Sequence, residues 1–222
     1  MAGSMHFISR ISVLAVALGL GMTACTKVER PINRSNFQDR LPDVRVMVEI
    51  QTTVGNIEVE LYRNFAPITV ENFLTYARDD HYDNTVFHRV IENFIVQGGG
   101  LTEDLSEKTT RGPITNEASN GLRNDRGTIA MARTNDKDSA TSQFYFNIKH
   151  NEILDHGVRN YGYTVFGKVT KGMEVVDMIS KVPVAIKNGM SDVPVDPIKV
   201  INVREIGREE IERGPVIRDK RL

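Results

Sequence analysis

From Val44 onward the hydrophobic positions recur every second residue. Val46, Val48 and Ile50 are separated by polar or exposed positions, and Ile57, Val59 and Leu61 alternate with Glu58 and Glu60. Successive side chains of a strand point to opposite faces, so each run reads as a half-buried strand and Gly55-Asn56 as the turn joining them. The period then lengthens. Pro67 opens a stretch with Val70, Phe73, Leu74 and Ala77 on one face, the spacing of an amphipathic helix docked on a core. Short β-rich runs follow at 85–91, 94–97, 128–132, 143–148 and 163–169. Gly172 precedes a second helix containing Val175, Val176, Met178 and Ile179, and 198–203 closes the pattern. Many short strands with two helices predict a mainly β barrel or sandwich whose openings the helices cover. The stretch 98–126 has little periodicity, and its polarity and glycines predict a folded surface excursion.

The N-terminus departs from this pattern. His6 and Arg10 precede the apolar run 11–20, and Met22-Thr23-Ala24-Cys25 follows it. That layout is a secretory signal peptide over 1–24, and the apolar run falls short of the ~20 residues that span a bilayer. Cys25 is the only cysteine, so neither an intramolecular disulfide nor a thiolate metal site is available. Leu20-Gly21-Met22-Thr23-Ala24-Cys25 resembles a bacterial lipoprotein signal, whose cysteine becomes the lipidated first residue; Met22 stands where an aliphatic residue is usual. This implies a membrane anchor at Cys25, a polar tether over 25–43 with Pro31 and Pro42, and a place in the periplasm-facing cell envelope. Thr26, rather than Asp, resembles outer-membrane lipoproteins. The folded domain is then 44–206, with 207–222 as a charged C-terminal extension.

The 222 residues suit one domain. A net charge of −1 gives no electrostatic case for nucleic acid as a partner. The five histidines show no helical ligand spacing and sit in no acidic cluster, so no metal is assigned. No nucleophile elbow, P-loop or dinucleotide fingerprint is present, and no cofactor is called for. What stands out is Phe87-His88-Arg89-Val90-Ile91 followed by Phe94-Ile95-Val96-Gln97-Gly98-Gly99, then Met131-Ala132-Arg133 and Ser142-Gln143-Phe144-Tyr145-Phe146. Alternation puts Phe87, Arg89 and Ile91 on one strand face. An arginine among apolar residues is costly unless it pairs or reaches solvent.

In order and spacing these segments resemble the cyclophilin family, most closely its bacterial members, over 46–206. The resemblance takes in Asn116-Glu117-Ala118, 126–132 and Val165-Phe166-Gly167-Lys168-Val169. It implies a closed eight-stranded antiparallel barrel capped by two α-helices, and a monomeric peptidyl-prolyl cis/trans isomerase acting on proline-containing polypeptides. By the same resemblance Arg89 is the catalytic arginine and Gln97 the glutamine that supports it. Phe94, Ile95, Tyr145 and Leu154 are walls of the pocket for the proline ring. Ala132 and Arg133 belong to the segment whose backbone bonds the substrate chain, and Gln143 is a second polar residue of the groove. Four positions depart from the common pattern: Ile95 replaces the pocket Met, Tyr145 the pocket Phe, Tyr163 a groove histidine, and Ile153 a Trp of many eukaryotic members. The last implies weak cyclosporin binding.

An isomerase needs only a site that holds the twisted amide better than either planar form. The competing function is a lipid-tethered module or chaperone that binds proline segments with little turnover. A small-ligand barrel is a third reading, and large aliphatics on the inward faces argue against its hollow interior.

Overall fold

The computed structural model describes residues 43–211. The stretches expected to be a signal peptide (1–24) and a tether (25–43, up to residue 42), with Cys25, and residues 212–222 lie outside the described residues.

Strand β1 (Asp43–Thr52) pairs antiparallel with β2 (Gly55–Leu61), so that Val46, Val48 and Ile50 oppose Leu61, Val59 and Ile57. All six are buried on one face, as the period of two requires. The turn is Thr53-Val54, two residues earlier than Gly55-Asn56, because Thr52 already pairs with Gly55. Gly55 is needed for a different reason. Its φ is +140°, and a Cβ there would lie 2.7 Å from Val175 Cγ2 of helix α2 (Met173–Ile179). The same helix enters through Gly172 at φ +83°, where a Cβ would meet the Asn56 carbonyl oxygen at 2.2 Å. Two glycines therefore let the second helix sit against the first hairpin.

Helix α1 (Pro67–Arg78) buries Val70, Phe73, Leu74 and Ala77, as their spacing predicts, together with Thr69 and Tyr76. Its unpaired N-terminal N–H groups are met from a distance: Ile68 N–H and Thr69 N–H donate to Glu117 at 3.1 and 2.8 Å. Glu117 lies in the long aperiodic stretch. Leu101 and Ala118 of that stretch are buried, and Arg111 N–H donates to the Tyr76 hydroxyl at 2.8 Å. The excursion is thus folded onto the domain.

The remaining strands are β3 (Arg89–Ile91), β4 (Ile95–Gly98), β5 (Thr128–Met131), β6 (Phe144–Asn147), β7 (Val165–Lys171) and β10 (Val200–Ile211). A separate hairpin of β8 (Val184–Lys187) and β9 (Met190–Pro194) was not foreseen, and three of the four β8 residues are exposed. Eight strands form one antiparallel sheet in the order β10-β1-β2-β7-β5-β6-β4-β3. The sheet curls about a core that includes Phe73, Tyr82, Phe87, Phe144, Phe146 and Phe166. That filled interior removes the small-ligand reading.

Three further expectations are corrected. The barrel is not closed by a regular ladder. Its edges β3 and β10 meet only through the bridge Val86↔Lys199 and bonds such as Asn84 N–H to the Val200 carbonyl at 2.9 Å. The run read as a strand from 85 to 91 is regular only over Arg89–Ile91. Ahead of it the chain follows the bends of the seam, so Phe87 enters the core beside Val90 instead of sharing a face with Arg89. Strand pairing also continues beyond 206: Gly207 opposes Met47 and Ile211 opposes Asp43. This stretch is part of an edge strand, whose backbone pairing does not depend on apolar side chains.

Candidate active site

On β4, β6, β5 and β7 neighbouring residues divide between two apolar clusters. Val96, Phe144, Phe146, Ile129, Met131 and Phe166 face the main core. Ile95, Tyr145, Ala130 and Val165 point the other way and form a second cluster. A sheet covered on both faces loses its polar alternation, which is why β5 and β6 read as continuous apolar runs. Phe94, Leu122, Ala132, Leu154 and Tyr163 pack against the second cluster but are only partly buried. It is an apolar wall that solvent reaches.

Strand register extends this wall into a polar edge. Arg89 opposes Gln97, Gln97 opposes Tyr145, Tyr145 opposes Ala130, and Ala130 opposes Val165. Directly opposed residues share a face with Cβ atoms roughly 4.5–5.5 Å apart. Arg89 and Gln97 therefore stand at one end of a row whose other members are the wall. Arg89 Nη1 donates to Gln97 Oε1 at 3.4 Å, and Gln97 Nε2 donates to Gln143 Oε1 at 2.9 Å. A guanidinium can only donate, so it fixes which way the Gln97 amide faces, and Gln97 in turn fixes Gln143. Gln143, Gln97, Ala132, Arg133 and Thr141 also line a cleft of about 150 Å³.

His88, beside Arg89, is buried, and its Nδ1 has no hydrogen-bond partner. Burial, with the Arg89 charge adding to it, lowers its pKa to about 4. It is neutral at pH 7, so the charge facing the wall is that of Arg89.

The other residues singled out in the sequence fall into place unevenly. Ala132 N–H is already taken by the Gln143 carbonyl at 2.9 Å. The Arg133 guanidinium donates to the Gly162 and Thr134 carbonyls and to Asn160 Oδ1, and it lies 4.5 Å over the Tyr163 ring. Its side chain ties two loops together. The rings of Tyr145 and Tyr163 meet edge to face at 6.0 Å. Ile153 is 48% exposed and stands outside the apolar cluster that its neighbour Leu154 joins.

The description "Cyclophilin type peptidyl-prolyl cis-trans isomerase" belongs to the family model that matches residues 47–205. This chain is a cyclophilin. A peptidyl-prolyl cis-trans isomerase of Acinetobacter baylyi is 53% identical over 158 residues, covering 71% of this chain and 84% of the relative. One from Streptomyces antibioticus is 52% identical over 163 residues, covering 72% and 98%. Isomerase B of Escherichia coli is 44% identical over 160 residues, covering 71% and 98%. Among solved structures, a cyclophilin-type isomerase of Cryptosporidium parvum aligns with a TM-score of 0.61 at 26% identity, covering 73% of this chain and 98% of that one. The activity of this cyclophilin is accordingly peptidyl-prolyl cis-trans isomerisation, and the eight-stranded curled sheet with two helices is the family fold.

One part of the site was not read from the sequence. The Tyr145 hydroxyl is buried, and burial holds its pKa well above the ordinary value. The hydroxyl donates to Asn124 Oδ1 at 2.8 Å. Asn124 in turn donates to Asp155 Oδ1 from its backbone N–H at 2.7 Å and from Nδ2 at 3.0 Å. Asn151 Nδ2 donates to Asn147 Oδ1 at 2.8 Å and to the Phe94 carbonyl at 2.9 Å, and Asn147 Nδ2 reaches Asn124 Oδ1 at 3.2 Å. A buried amide network thus stands behind Tyr145, Phe94 and the loop that carries Leu154. The signal was there: a tyrosine replacing the family's phenylalanine needs a hydrogen-bond partner when buried.

Proposed function

We propose that this cyclophilin turns X-Pro bonds by means of Arg89, braced by Gln97, with the proline ring held against Phe94, Ile95, Tyr145 and Leu154. The observation that carries this assignment is the cross-strand row that brings Arg89 and Gln97 beside Tyr145 and the apolar wall. Rotation about the amide faces ~18–20 kcal/mol because twisting destroys resonance. As the bond twists, the prolyl nitrogen recovers a lone pair. A fixed guanidinium can donate to that nitrogen only in the twisted form, and such differential stabilisation is what lowers a barrier. Five decades of acceleration correspond to about 7 kcal/mol. No bond is broken. The planar fork of arginine keeps several donors in register, which lysine does not. Gln143, with the backbone at Ala132 and Arg133, is assigned to the substrate chain, and Tyr163 to the rim.

The clients we assign are exported polypeptides, and the enzyme acts as a monomer anchored in the cell envelope by a lipid on Cys25. Supporting the anchor are the uniqueness of Cys25 and its position just after an apolar stretch too short to span a bilayer. Intact mass of the membrane fraction, with and without Cys25→Ser, tests it: an unlipidated, soluble wild type refutes the anchor. For the chemistry, affinity and isomerisation are measured on one proline peptide with wild type and Arg89→Ala. Loss of turnover with binding largely kept supports the assignment, whereas near-wild-type turnover in the variant refutes it. Wild-type binding with negligible turnover would instead mark a holding module.

A further inference from the structure

Leu122 belongs to the wall around Tyr145 and Leu154, and it also lines a second cleft of about 260 Å³. That cleft lies between the 3-10 turn Ala118–Asn120 and the segment 152–158, and Asp155, the residue after Leu154, lines it. Small-molecule sites are typically ~300–1,000 Å³, so this volume suits one extended side chain. Leu122, Val158 and Ala118 give it apolar walls, while Glu152, Asp155, His156 and Arg123 give it polar ones.

Asp155 is the group that defines the cleft. It is only 9% exposed. Both Asn124 donors fall on Oδ1, at 2.7 and 3.0 Å, and Oδ2 receives neither. An ionised carboxylate accepts about four hydrogen bonds, so Oδ2, which is not sealed from solvent, keeps acceptor capacity for a donor entering the cleft. Asn124 also stops the carboxylate from turning, so Oδ2 is presented in a fixed direction. Glu152 adds an exposed second carboxylate. Arg123 lines the same cleft and forms no ion pair with either acid among the described residues, so its charge offsets part of the acidic field without occupying either carboxylate. His156 Nδ1 meets the Tyr161 carbonyl at 2.9 Å, and because a carbonyl only accepts, Nδ1 carries a proton in this contact.

We propose that this cleft receives the side chain of a lysine or arginine near the substrate proline, making the enzyme selective for polypeptides with a basic residue beside the isomerised bond. The aliphatic stem would lie on Leu122 and Val158 while the cation meets Asp155 Oδ2 and Glu152, the division that long basic side chains favour. This selectivity rests on the reading of Tyr145 and Leu154 as the proline pocket, since Leu122 and Leu154 are what place the two sites side by side.

The test uses the full-length protein and a set of proline peptides in which each of the two positions before and after the proline is in turn Ala, Lys or Glu. At one position the Lys peptide is expected to show about fivefold higher kcat/KM than its Ala counterpart, and the Glu peptide a lower value; added salt narrows the gap. Asp155→Asn keeps an acceptor for Asn124 and removes the charge, and it should bring the Lys-to-Ala ratio towards one. Glu152→Lys, on the surface, should reduce or invert the ratio even if Asp155→Asn does not fold. A ratio near one at every position, a ratio unmoved by Glu152→Lys, or a preference for Glu overturns the subsite. If the Ala peptides turn over and Arg89→Ala abolishes that turnover, a flat Lys-to-Ala ratio refutes the subsite alone. Turnover unaffected by Arg89→Ala refutes the site assignment itself.

Discussion

The two faces of β4, β6, β5 and β7 are made by the same strands with the same period, yet they end differently. The inner face, with Val96, Phe144, Phe146 and Ile129, is closed by the curl of the sheet and by α1. The outer face, with Ile95, Tyr145, Ala130 and Val165, is covered only by loop residues that remain partly exposed, and the row continues into Arg89 and Gln97. An apolar face sealed by its own fold stabilises the domain. An apolar face left open next to a cation is available to a substrate, and its contacts are made again in each binding event.

Substitutions on the two faces should therefore separate stability from turnover. The largest effect is expected inside. Phe144 is fully buried and packs against Phe73, Tyr82, Phe87 and Phe146. Phe144→Ala should cost about 3–5 kcal/mol by denaturant unfolding, from lost burial and the cavity left behind. Arg89→Ala, on the outer row, should leave stability within about 0.5 kcal/mol while lowering kcat/KM roughly 10²–10³-fold, as expected for loss of one preorganised donor. If Phe144→Ala proves nearly neutral, or if Arg89→Ala unfolds the protein, the division between the faces is wrong.

Much of this was legible beforehand. Alternation gave β1 and β2, and the helical spacing of Val70, Phe73, Leu74 and Ala77 gave α1 and its buried face. The motifs around Arg89, Gln97 and Tyr145 named residues that strand register then brought into one row. What stayed hidden depended on long-range geometry. Phe87 leaves the face of Arg89 because the seam is irregular, which no local period records. Backbone pairing, which is blind to charge, carries β10 to Ile211 through a stretch that reads as an extension. The link from Asn124 to Asp155 spans 31 residues, and only the fold makes them neighbours. Ile153 aligns with a pocket position, but the short 3-10 turn Glu152–Leu154 turns Leu154, not Ile153, into the wall.

The next effect concerns the boundary between the faces, where His88 sits. Its pKa is about 4 in the folded protein, against 6.5 for the free group. Between those values the unfolded chain binds the proton and the native state does not, so stability rises with pH across the window and is lost as pH falls from about 6.5 to about 4. The full difference is worth about 3 kcal/mol. Unfolding free energies of wild type and His88→Gln, measured from pH 4 to 8, should differ in slope within that window and run parallel above it. Parallel curves throughout would mean that His88 is solvated in the native state.

The smallest effect lies behind the outer face and asks whether the pocket's shape depends on its buried amides. In Asn124→Ala the Tyr145 hydroxyl loses the acceptor it holds at 2.8 Å, and Asp155 loses its Nδ2 donor. A buried polar group left without a partner costs about 1–3 kcal/mol, so unfolding should register a loss of that size. If the network also sets the wall, peptide affinity of the folded protein should fall as well. Tyr145→Phe in the Asn124→Ala background removes the orphaned hydroxyl and should recover part of both losses, since deleting both partners of a hydrogen bond is milder than deleting one. Recovery of stability without recovery of affinity would show that Asn124 supports the outer face through Asp155 and the Leu154 loop, and not through the Tyr145 ring. Strictly additive losses would mean that the hydroxyl finds another partner once Asn124 is gone, leaving the open face as independent of its buried support as the closed one is of the substrate.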